Sequence, residues 1–254
     1  RSRFPSWKED IQQYFKKRFA GEIVQHDVLN AYRKKSISGL QQQEKPEGNE
    51  ANGRVLVTLF AHVFRDAPRN IPGTLFGDFH RWFVESVKVL ADNPNVLLYI
   101  REHPSAHLYG EEGLVVKMLQ EMGVEDKVRV WGDENTDTVL AMTDVALTCS
   151  GTVGLEAAYL GKPVVIASKC GYSGLGLCYE FNTQDDYRSF LSGISGPILP
   201  PDSYDVDRAA IVAYMHFMIF DNRDRYPDFP LPPFVRGVSF GLAGEELFKK
   251  IKKY

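Results

Sequence analysis

The sequence predicts an α/β fold, a Rossmann-like doubly wound parallel sheet with helices before and after it. Short apolar runs rich in β-branched residues alternate with amphipathic helical patterns from Val55 to Ile166. This alternation is typical of a parallel sheet that is covered by helices on both faces. The chain of 254 residues is also long enough for one large α/β domain with attached elements.

Five strands are predicted from the apolar runs. They cover residues 55–62, 96–101, 128–131 and 145–148, and the fifth begins at Val164. Each run is bounded by polar or turn-forming residues, as expected for strands buried in a parallel sheet.

Amphipathic helices are predicted after each of the first four strands. Their apolar residues recur at the three- and four-residue spacing of one helix face, and they lie near residues 79–90, 114–119, 136–142 and 153–160. Gly161 breaks the last of these helices before the fifth strand begins.

The chain divides into three predicted regions. Residues 1–53 are expected to form N-terminal helices and a polar linker, because apolar residues at helical spacing are followed by a run rich in Glu, Asn and Gly. Residues 54–200 form the Rossmann-like domain. Residues 201–254 are expected to add a helix near 206–220 and a proline-rich tail that packs on the domain.

Composition narrows the classes of partner. The formal net charge of -3 gives no basic field, so a nucleic-acid partner is not expected. No apolar run approaches the ~20 residues that a membrane-spanning helix needs, so no transmembrane segment is expected. The three cysteines, Cys149, Cys170 and Cys178, lack the spacing of a metal site and are too few for a disulfide framework. They fit a reducing, cytoplasmic environment.

The most informative motif runs from Cys149 to Ile166, CSGTVGLEAAYLGKPVVI. A strand ends in the turn Ser150-Gly151-Thr152, and a helix follows directly. Helix N-termini carry unpaired N–H groups and a partial positive charge, so this arrangement predicts a phosphate site. His103, in the His-Pro pair after the second strand, is placed to face the same ligand.

Further polar candidates also follow strand ends. They are Arg65, Asp66 and Arg69 after the first strand, Arg101 after the second, Glu156 in the helix after the fourth, and Tyr172 and Ser173 in the glycine-rich loop after the fifth. Each has an ordinary structural explanation, such as a turn, a helix cap, a favourable helix-dipole position or a surface ion pair. Four polar loops on one rim of one sheet nevertheless favour a binding site.

Four segments resemble the C-terminal, nucleotide-sugar-binding half of GT-B glycosyltransferases. They are FAHVFRDAP, FGDFHRWFVESV, YIREHPSAHLYGEEG and CSGTVGLEAAYLGKPVV. The resemblance covers residues 54–190 and is nearest to bacterial capsule and surface-polysaccharide biosynthesis proteins, including transferases that use CMP-Kdo.

The resemblance implies roles for most of the candidates. His103 and the turn Ser150-Gly151-Thr152 would contact the donor phosphate, and Glu156 would hold a ribose or sugar hydroxyl. Arg65 and Arg69 would clamp phosphate by analogy. Arg101, Tyr172 and Ser173 are added to the predicted donor site because they lie on the same rim, and Asp66 is the best candidate for a catalytic base.

The function implied is a glycosyltransferase that moves a sugar from a CMP- or UDP-linked donor to a glycan or glycolipid acceptor. The resemblance implies no cofactor and no metal ion, and a cytoplasmic location with the inner face of the membrane as a peripheral site. Two alternatives stay open: a sugar-nucleotide epimerase or hydrolase of the same fold, and a non-catalytic nucleotide-sugar-binding module.

The sequence departs from a complete GT-B enzyme in one respect. Such enzymes have a second Rossmann-like domain before this one, whereas 53 residues precede Arg54 here. The resemblance therefore implies a missing N-terminal acceptor domain. We expect the isolated chain to bind donor without transferring sugar, because the acceptor would not be positioned.

Overall fold

The computed structural model describes residues 6–20, 22, 53–66, 73–132 and 134–221. The described strands are β1 Val55–Phe60, β2 Val96–Arg101, β3 Val128–Val130, β4 Val145–Thr148 and β5 Val164–Ile166. The described helices are α1 Ser6–Phe19, α2 Phe79–Ala91, α3 Leu114–Glu121, α4 Thr136–Met142, α5 Val153–Tyr159, α6 Gln184–Ser192 and α7 Val206–Asp221, with a 3-10 turn at Ala106–Tyr109.

The strands form one parallel sheet in the order β3-β2-β1-β4-β5. Val57 of β1 pairs with Leu98 of β2 on one side and with Val145 of β4 on the other. The chain thus proceeds outwards from β1 to β3 and then returns to the opposite side of β1. This reversal creates a crevice at the carboxyl ends of β1 and β4, and the predicted Rossmann-like α/β fold is confirmed.

Both faces of the sheet are covered, which explains why every residue of β1 is buried. Val55, Val57 and Leu59 point into one apolar cluster with residues of α2, α3 and α6. Leu56 and Phe60 point the other way, into a cluster that includes residues of α1, α4, α5 and α7. The two-residue period of the strand therefore divides its side chains between two cores.

The helices α1 and α7 pack beside α5, on the face of the sheet towards which Leu56 and Phe60 point. Phe15 of α1 stacks on Tyr159 of α5 with ring centroids 3.7 Å apart, and its edge meets Phe217 of α7. The described part of the N-terminal region therefore shares a core with the sheet. The predicted division at residues 53 and 200 stays a prediction.

The helix α6 is absent from the sequence-based prediction. The Thr183 side chain caps it by accepting a hydrogen bond from the Asp186 N–H at 3.1 Å. It is anchored by buried Tyr187, whose hydroxyl oxygen accepts from Trp82 Nε1 at 2.9 Å and lies 2.7 Å from Ser86 Oγ. Only two of its nine residues are buried, so its apolar signal is weak.

The predicted strand ends differ slightly from the observed ones. The first strand was expected to reach His62 but ends at Phe60, because the chain turns there towards the crevice. The proline-rich tail and the polar linker lie outside the described residues. None of the described helices combines the length and apolar character that a membrane span requires.

Candidate nucleotide-binding cleft

A cleft of about 300 Å³ lies at the carboxyl ends of β1, β2 and β4. It occupies the position where the strand order reverses, which is where open α/β sheets bind ligands. Polar side chains reach it from three strand ends and from the helices α1, α4 and α5. They include Arg18, His62, Arg101, His103, Thr136, Ser150, Thr152 and Glu156.

The turn at residues 150–152 is held in place by His62. The Ser150 N–H donates to His62 Nε2 at 3.2 Å, and Thr148 Oγ1 lies 3.2 Å from the same nitrogen. Because Nε2 accepts from an N–H, the neutral ring carries its proton on Nδ1. The ring also stacks on Phe79, with centroids 4.0 Å apart. Burial, with a smaller effect of His103, lowers the pKa of His62 to about 3.

Gly151 is required by the closeness of this turn. A Cβ at this position would lie 2.8 Å from Thr148 Oγ1, which already accepts from the Gly151 N–H at 3.1 Å. Thr152, at the start of α5, makes no side-chain capping bond. Thr152 also lines the cleft, together with Ser150 and Gly151.

His103 offers a hydrogen-bond donor to the cleft. Its Nδ1 accepts from the Ser105 N–H at 3.1 Å, so the neutral ring carries its proton on Nε2. Burial lowers the pKa of His103, against a raising effect of the carboxylates of Asp66 and Glu111. A neutral imidazole with a donating Nε2–H is therefore the form present near neutral pH.

Glu156 lies at the floor of the cleft, paired with an arginine from α1. Arg18 Nε is 2.7 Å from Glu156 Oε1, and the two side chains are 3% and 5% exposed. Both residues line the cleft. The carboxylate is an acceptor only, so it can bind ligand hydroxyls.

Arg101 lines the cleft while its guanidinium holds the loop after β3. It donates to the Gly132 carbonyl and, at 2.6 Å, to the Glu134 carbonyl, and its Nη1 is 3.9 Å from the Glu134 carboxylate. Its predicted role towards a donor stays a prediction.

Arg65 and Asp66 lie outside the cleft lining, on the exposed loop after β1. Asp66 Oδ1 accepts from the Tyr109 hydroxyl at 3.1 Å, and Arg65 Nη1 donates to the Tyr109 carbonyl at 3.3 Å. Buried Glu111 fixes this loop by accepting from the N–H groups of Phe64 and Arg65, each at 2.8 Å. Arg69 lies outside the described residues.

Tyr172 and Ser173 are buried behind the cleft rather than in its lining. The Tyr172 hydroxyl donates to the Gly151 carbonyl at 2.7 Å, and Ser173 Oγ accepts from the Cys170 N–H at 2.9 Å. Both residues thus support the loops that form the cleft. The contact of Tyr172 and Ser173 with a donor stays a prediction, and their position behind the cleft argues against it.

A family model matches the part of the chain that contains most of the residues lining the cleft. The model of the lipid-A-disaccharide synthetase family matches residues 84–172, about a third of the chain. The matched segment contains His103, the 150–152 turn and Glu156. The chain resembles GT-B glycosyltransferases. The predicted resemblance is therefore confirmed.

Two solved structures illustrate the proteins to which the chain is similar in fold. One is the KpsC β-Kdo 2,4 transferase of Thermosulfurimonas dismutans, with 16% identity, a TM-score of 0.44, and coverage of 82% of this chain and 64% of that chain. Another is Anabaena Alr3699/HepE in complex with UDP and glucose, with 16% identity, a TM-score of 0.38, and coverage of 80% and 49%. The chain spans less than two thirds of the length of either protein. No curated protein matches it.

Arg18 and His62, which line the cleft, were missing from the predicted set, and so was Glu111, which lies outside the lining and holds the loop after β1. His62 follows the first strand, so its position alone signals a place at the cleft. Arg18 lies on the apolar face of α1, seven residues after Ile11 and three after Phe15, both buried. A charged residue on an apolar helix face is the signal that could have found it. Glu111 lies in a loop, and no periodic pattern marks it.

The described residues contain no group of three or more His, Cys, Asp or Glu side chains that could hold a metal ion. The groups that the cleft offers to a ligand are hydrogen-bond donors and acceptors on His103, Ser150, Thr152 and Glu156.

The depressed pKa of His62 predicts a pH-dependent stability. Between pH 6.5 and about 3 the unfolded chain binds a proton on this residue and the folded chain does not. The neutral His62 ring therefore makes its full contribution to stability above pH 6.5. Below that pH the free energy of unfolding decreases by up to about 1.4 kcal/mol per pH unit. We expect His62→Gln, which keeps an acceptor, to reduce the slope of the free energy of unfolding between pH 6.5 and 4.5.

Urea unfolding at several pH values measures this slope. His80→Gln is the matched control, because His80 is exposed on α2, and it should leave the slope unchanged. Equal slopes for wild type and His62→Gln would show that His62 does not stay neutral in the folded protein.

Proposed function

We propose that the cleft binds a nucleotide-activated sugar and that the domain acts in a glycosyltransferase. The observation that carries the proposal is the convergence, at the switch point of the sheet, of the neutral His103 donor, the 150–152 turn and the paired Glu156. A phosphate group accepts hydrogen bonds, whereas the ribose and the sugar supply hydroxyls. The two kinds of group in the cleft match those two parts of a nucleotide sugar.

In the proposed complex, His103 Nε2–H and the hydroxyls of Ser150 and Thr152 donate to the donor phosphate. These contacts strengthen as negative charge develops on the departing nucleotide, which is how fixed donors lower the barrier of group transfer. Glu156 accepts from hydroxyls of the ribose or the sugar. The proposal assigns this charge stabilisation to protein donors and needs neither a metal ion nor a cofactor.

The finer parts of the proposal follow the resemblance. The donor is CMP- or UDP-linked, the acceptor is a glycan or glycolipid, and the product belongs to a bacterial capsule or surface polysaccharide. Asp66 is the proposed base. Its exposed carboxylate lies outside the cleft lining, hydrogen-bonded to Tyr109, so it would act on an acceptor that approaches along the rim.

Thermal unfolding with a panel of CMP-, UDP-, GDP- and dTDP-sugars tests the proposal. A ligand at 100 times its Kd stabilises the folded chain by about 2.7 kcal/mol. For a chain of this size, that corresponds to a rise in Tm of roughly 5–10 °C. Free sugars without nucleotide serve as the control and should leave the Tm unchanged. Failure of every nucleotide sugar to raise the Tm or to release heat in calorimetry would contradict the proposal.

Product analysis with the stabilising donor alone separates the transferase from an epimerase or hydrolase of the same fold. We expect no epimerised sugar, because the buried carboxylate of the cleft, Glu156, is held in an ion pair with Arg18 and is poorly placed to act as a base. Rapid epimerisation without an acceptor would assign the domain to the other class.

A further inference from the structure

The ion pair between Arg18 and Glu156 joins two elements that are 138 residues apart. Both side chains are almost fully buried, and both line the cleft. Removing two charges from water costs several kcal/mol per ion, and a buried pair often stabilises a fold no more than apolar residues of similar size would. Stability of the fold is therefore a weak reason for placing this pair in the wall of a binding site.

Arg18 is held from several sides. Its guanidinium carbon lies 3.6 Å above the centre of the Phe217 ring of α7. One helical turn earlier, Phe15 stacks on Tyr159, three residues after Glu156 on α5. These contacts fix α1 against the helix that carries both the 150–152 turn and Glu156. The guanidinium therefore reaches the cleft in one defined position.

The charge of Arg18 matters for the ligand that the cleft is proposed to hold. A single buried carboxylate beside a phosphate site would repel the phosphate, and burial would favour its protonated form. The guanidinium of Arg18, 2.7 Å from Oε1, offsets the negative charge of the carboxylate at the floor of the cleft. An ionised, fixed carboxylate accepts two hydroxyl hydrogen bonds with defined direction.

We propose that Arg18 is a positioning residue of the nucleotide site and that α1 is a structural part of that site. Arg18 holds the Glu156 side chain in a fixed position, so that its carboxylate accepts from vicinal hydroxyls of the bound nucleotide sugar. The inference rests on the proposed function, and it adds a residue from a segment for which the sequence indicated only a helix. The hydroxyls belong either to the ribose or to the transferred sugar.

The experiment replaces the pair by apolar residues of similar size, R18M/E156L, so that no buried charge is left alone. Calorimetry then measures binding of CMP, UDP and GDP, of their 2′,3′-dideoxy counterparts, and of the nucleotide sugar that raises the Tm most. We expect the double variant to remain folded and to bind the ribonucleotides roughly 10- to 100-fold more weakly. Binding of the dideoxy analogues, which lack the hydroxyls, should be the same in wild type and variant.

Two further variants sharpen the result. Arg18→Lys keeps a positive charge beside an intact Glu156 and should retain most of the ribonucleotide affinity. The matched control is R188M/E85L, which removes the ion pair between α6 and α2, with its 2.8 Å Nη2–Oε2 contact, away from the cleft. It should leave affinity for every probe unchanged.

The possible results distinguish the source of the hydroxyls, a purely structural role of the ion pair, and failure of the proposed function. If the double variant is folded but loses affinity for the nucleotide sugar and not for the free ribonucleotide, the hydroxyls are those of the sugar. If it binds every probe as the wild type does, Arg18 and Glu156 are only structural, and the inference is overturned. A wild-type chain that binds none of the nucleotides or nucleotide sugars overturns the proposed function itself, and the inference with it.

Discussion

His103→Ala is expected to weaken binding of the preferred nucleotide sugar by roughly 10- to 100-fold, which corresponds to about 1.5–3 kcal/mol for a lost hydrogen bond to a charged group. The Ser105 N–H occupies Nδ1, so Nε2–H is the donor that the ring offers to the cleft. Burial lowers the pKa of His103, so this donor is present without protonation of the ring. Isothermal titration calorimetry measures the loss directly.

The matched control for this variant is His107→Ala. His107 lies in the same loop, with Nδ1 3.0 Å from the Pro104 carbonyl, and it does not line the cleft. We expect it to bind nucleotide as the wild type does. His103→Gln, which retains an N–H donor at similar reach, should recover part of the affinity. Unchanged affinity for every nucleotide in His103→Ala would remove this histidine from the site.

Gly154→Ala is expected to destabilise the fold by about 1–3 kcal/mol, the usual cost of overpacking. Alanine in a helix is normally favoured over glycine by about 1 kcal/mol. A decrease in stability would therefore result from the collision and not from helix propensity. Here the added Cβ would collide with the Tyr172 hydroxyl and lie 2.9 Å from its Cζ. Tyr172 is buried and holds the Gly151 carbonyl, so the collision also displaces the turn that lines the cleft.

Urea unfolding and nucleotide titration of the Gly154→Ala variant measure both effects. Gly196→Ala is the control, because a Cβ at Gly196 meets open space, and it should change neither quantity. Adding Tyr172→Phe removes the colliding hydroxyl and should recover part of the stability, though not the bond to the Gly151 carbonyl. A Gly154→Ala variant as stable as the wild type would show that α5 and Tyr172 do not pack as described.

The sheet could be predicted because each strand is a local signal. The runs at 96–101 and 145–148 are apolar except for their last residues, Arg101 and Thr148, and both were placed with their observed limits. Helix α6 was not predicted because it lacks such a signal: Tyr187 and Leu191 are its only buried residues. Its Thr183 cap with an aspartate three residues later was the available signal.

The candidate site was predictable to the extent that strand ends converge. His103, Arg101, the 150–152 turn and Glu156 were selected because they follow parallel strands, and these residues do meet in one cleft. The same rule also selected Tyr172, because the rule places loops and not side-chain directions. Tyr172 turns inward beneath the 150–152 turn, where packing against Gly154 leaves room for its ring.

The pairing of Arg18 with Glu156 could not be predicted from local pattern. The two residues are 138 positions apart, and their contact depends on how α1 packs against α5 and α7. Sequence reasoning treated the first 53 residues as separate from the domain. The physical reason for the difference is that an amphipathic helix shows which face is buried but not what lies against it.

The most direct test of the proposed donor site is a crystal structure of the chain with the nucleotide sugar that raises the Tm most. We expect a donor phosphate oxygen to lie about 3 Å from His103 Nε2 and in contact with the 150–152 turn. We also expect ligand hydroxyls to donate hydrogen bonds to the Glu156 carboxylate. A nucleotide bound elsewhere, or bound in the cleft with its phosphate directed away from His103 and the turn, would contradict it.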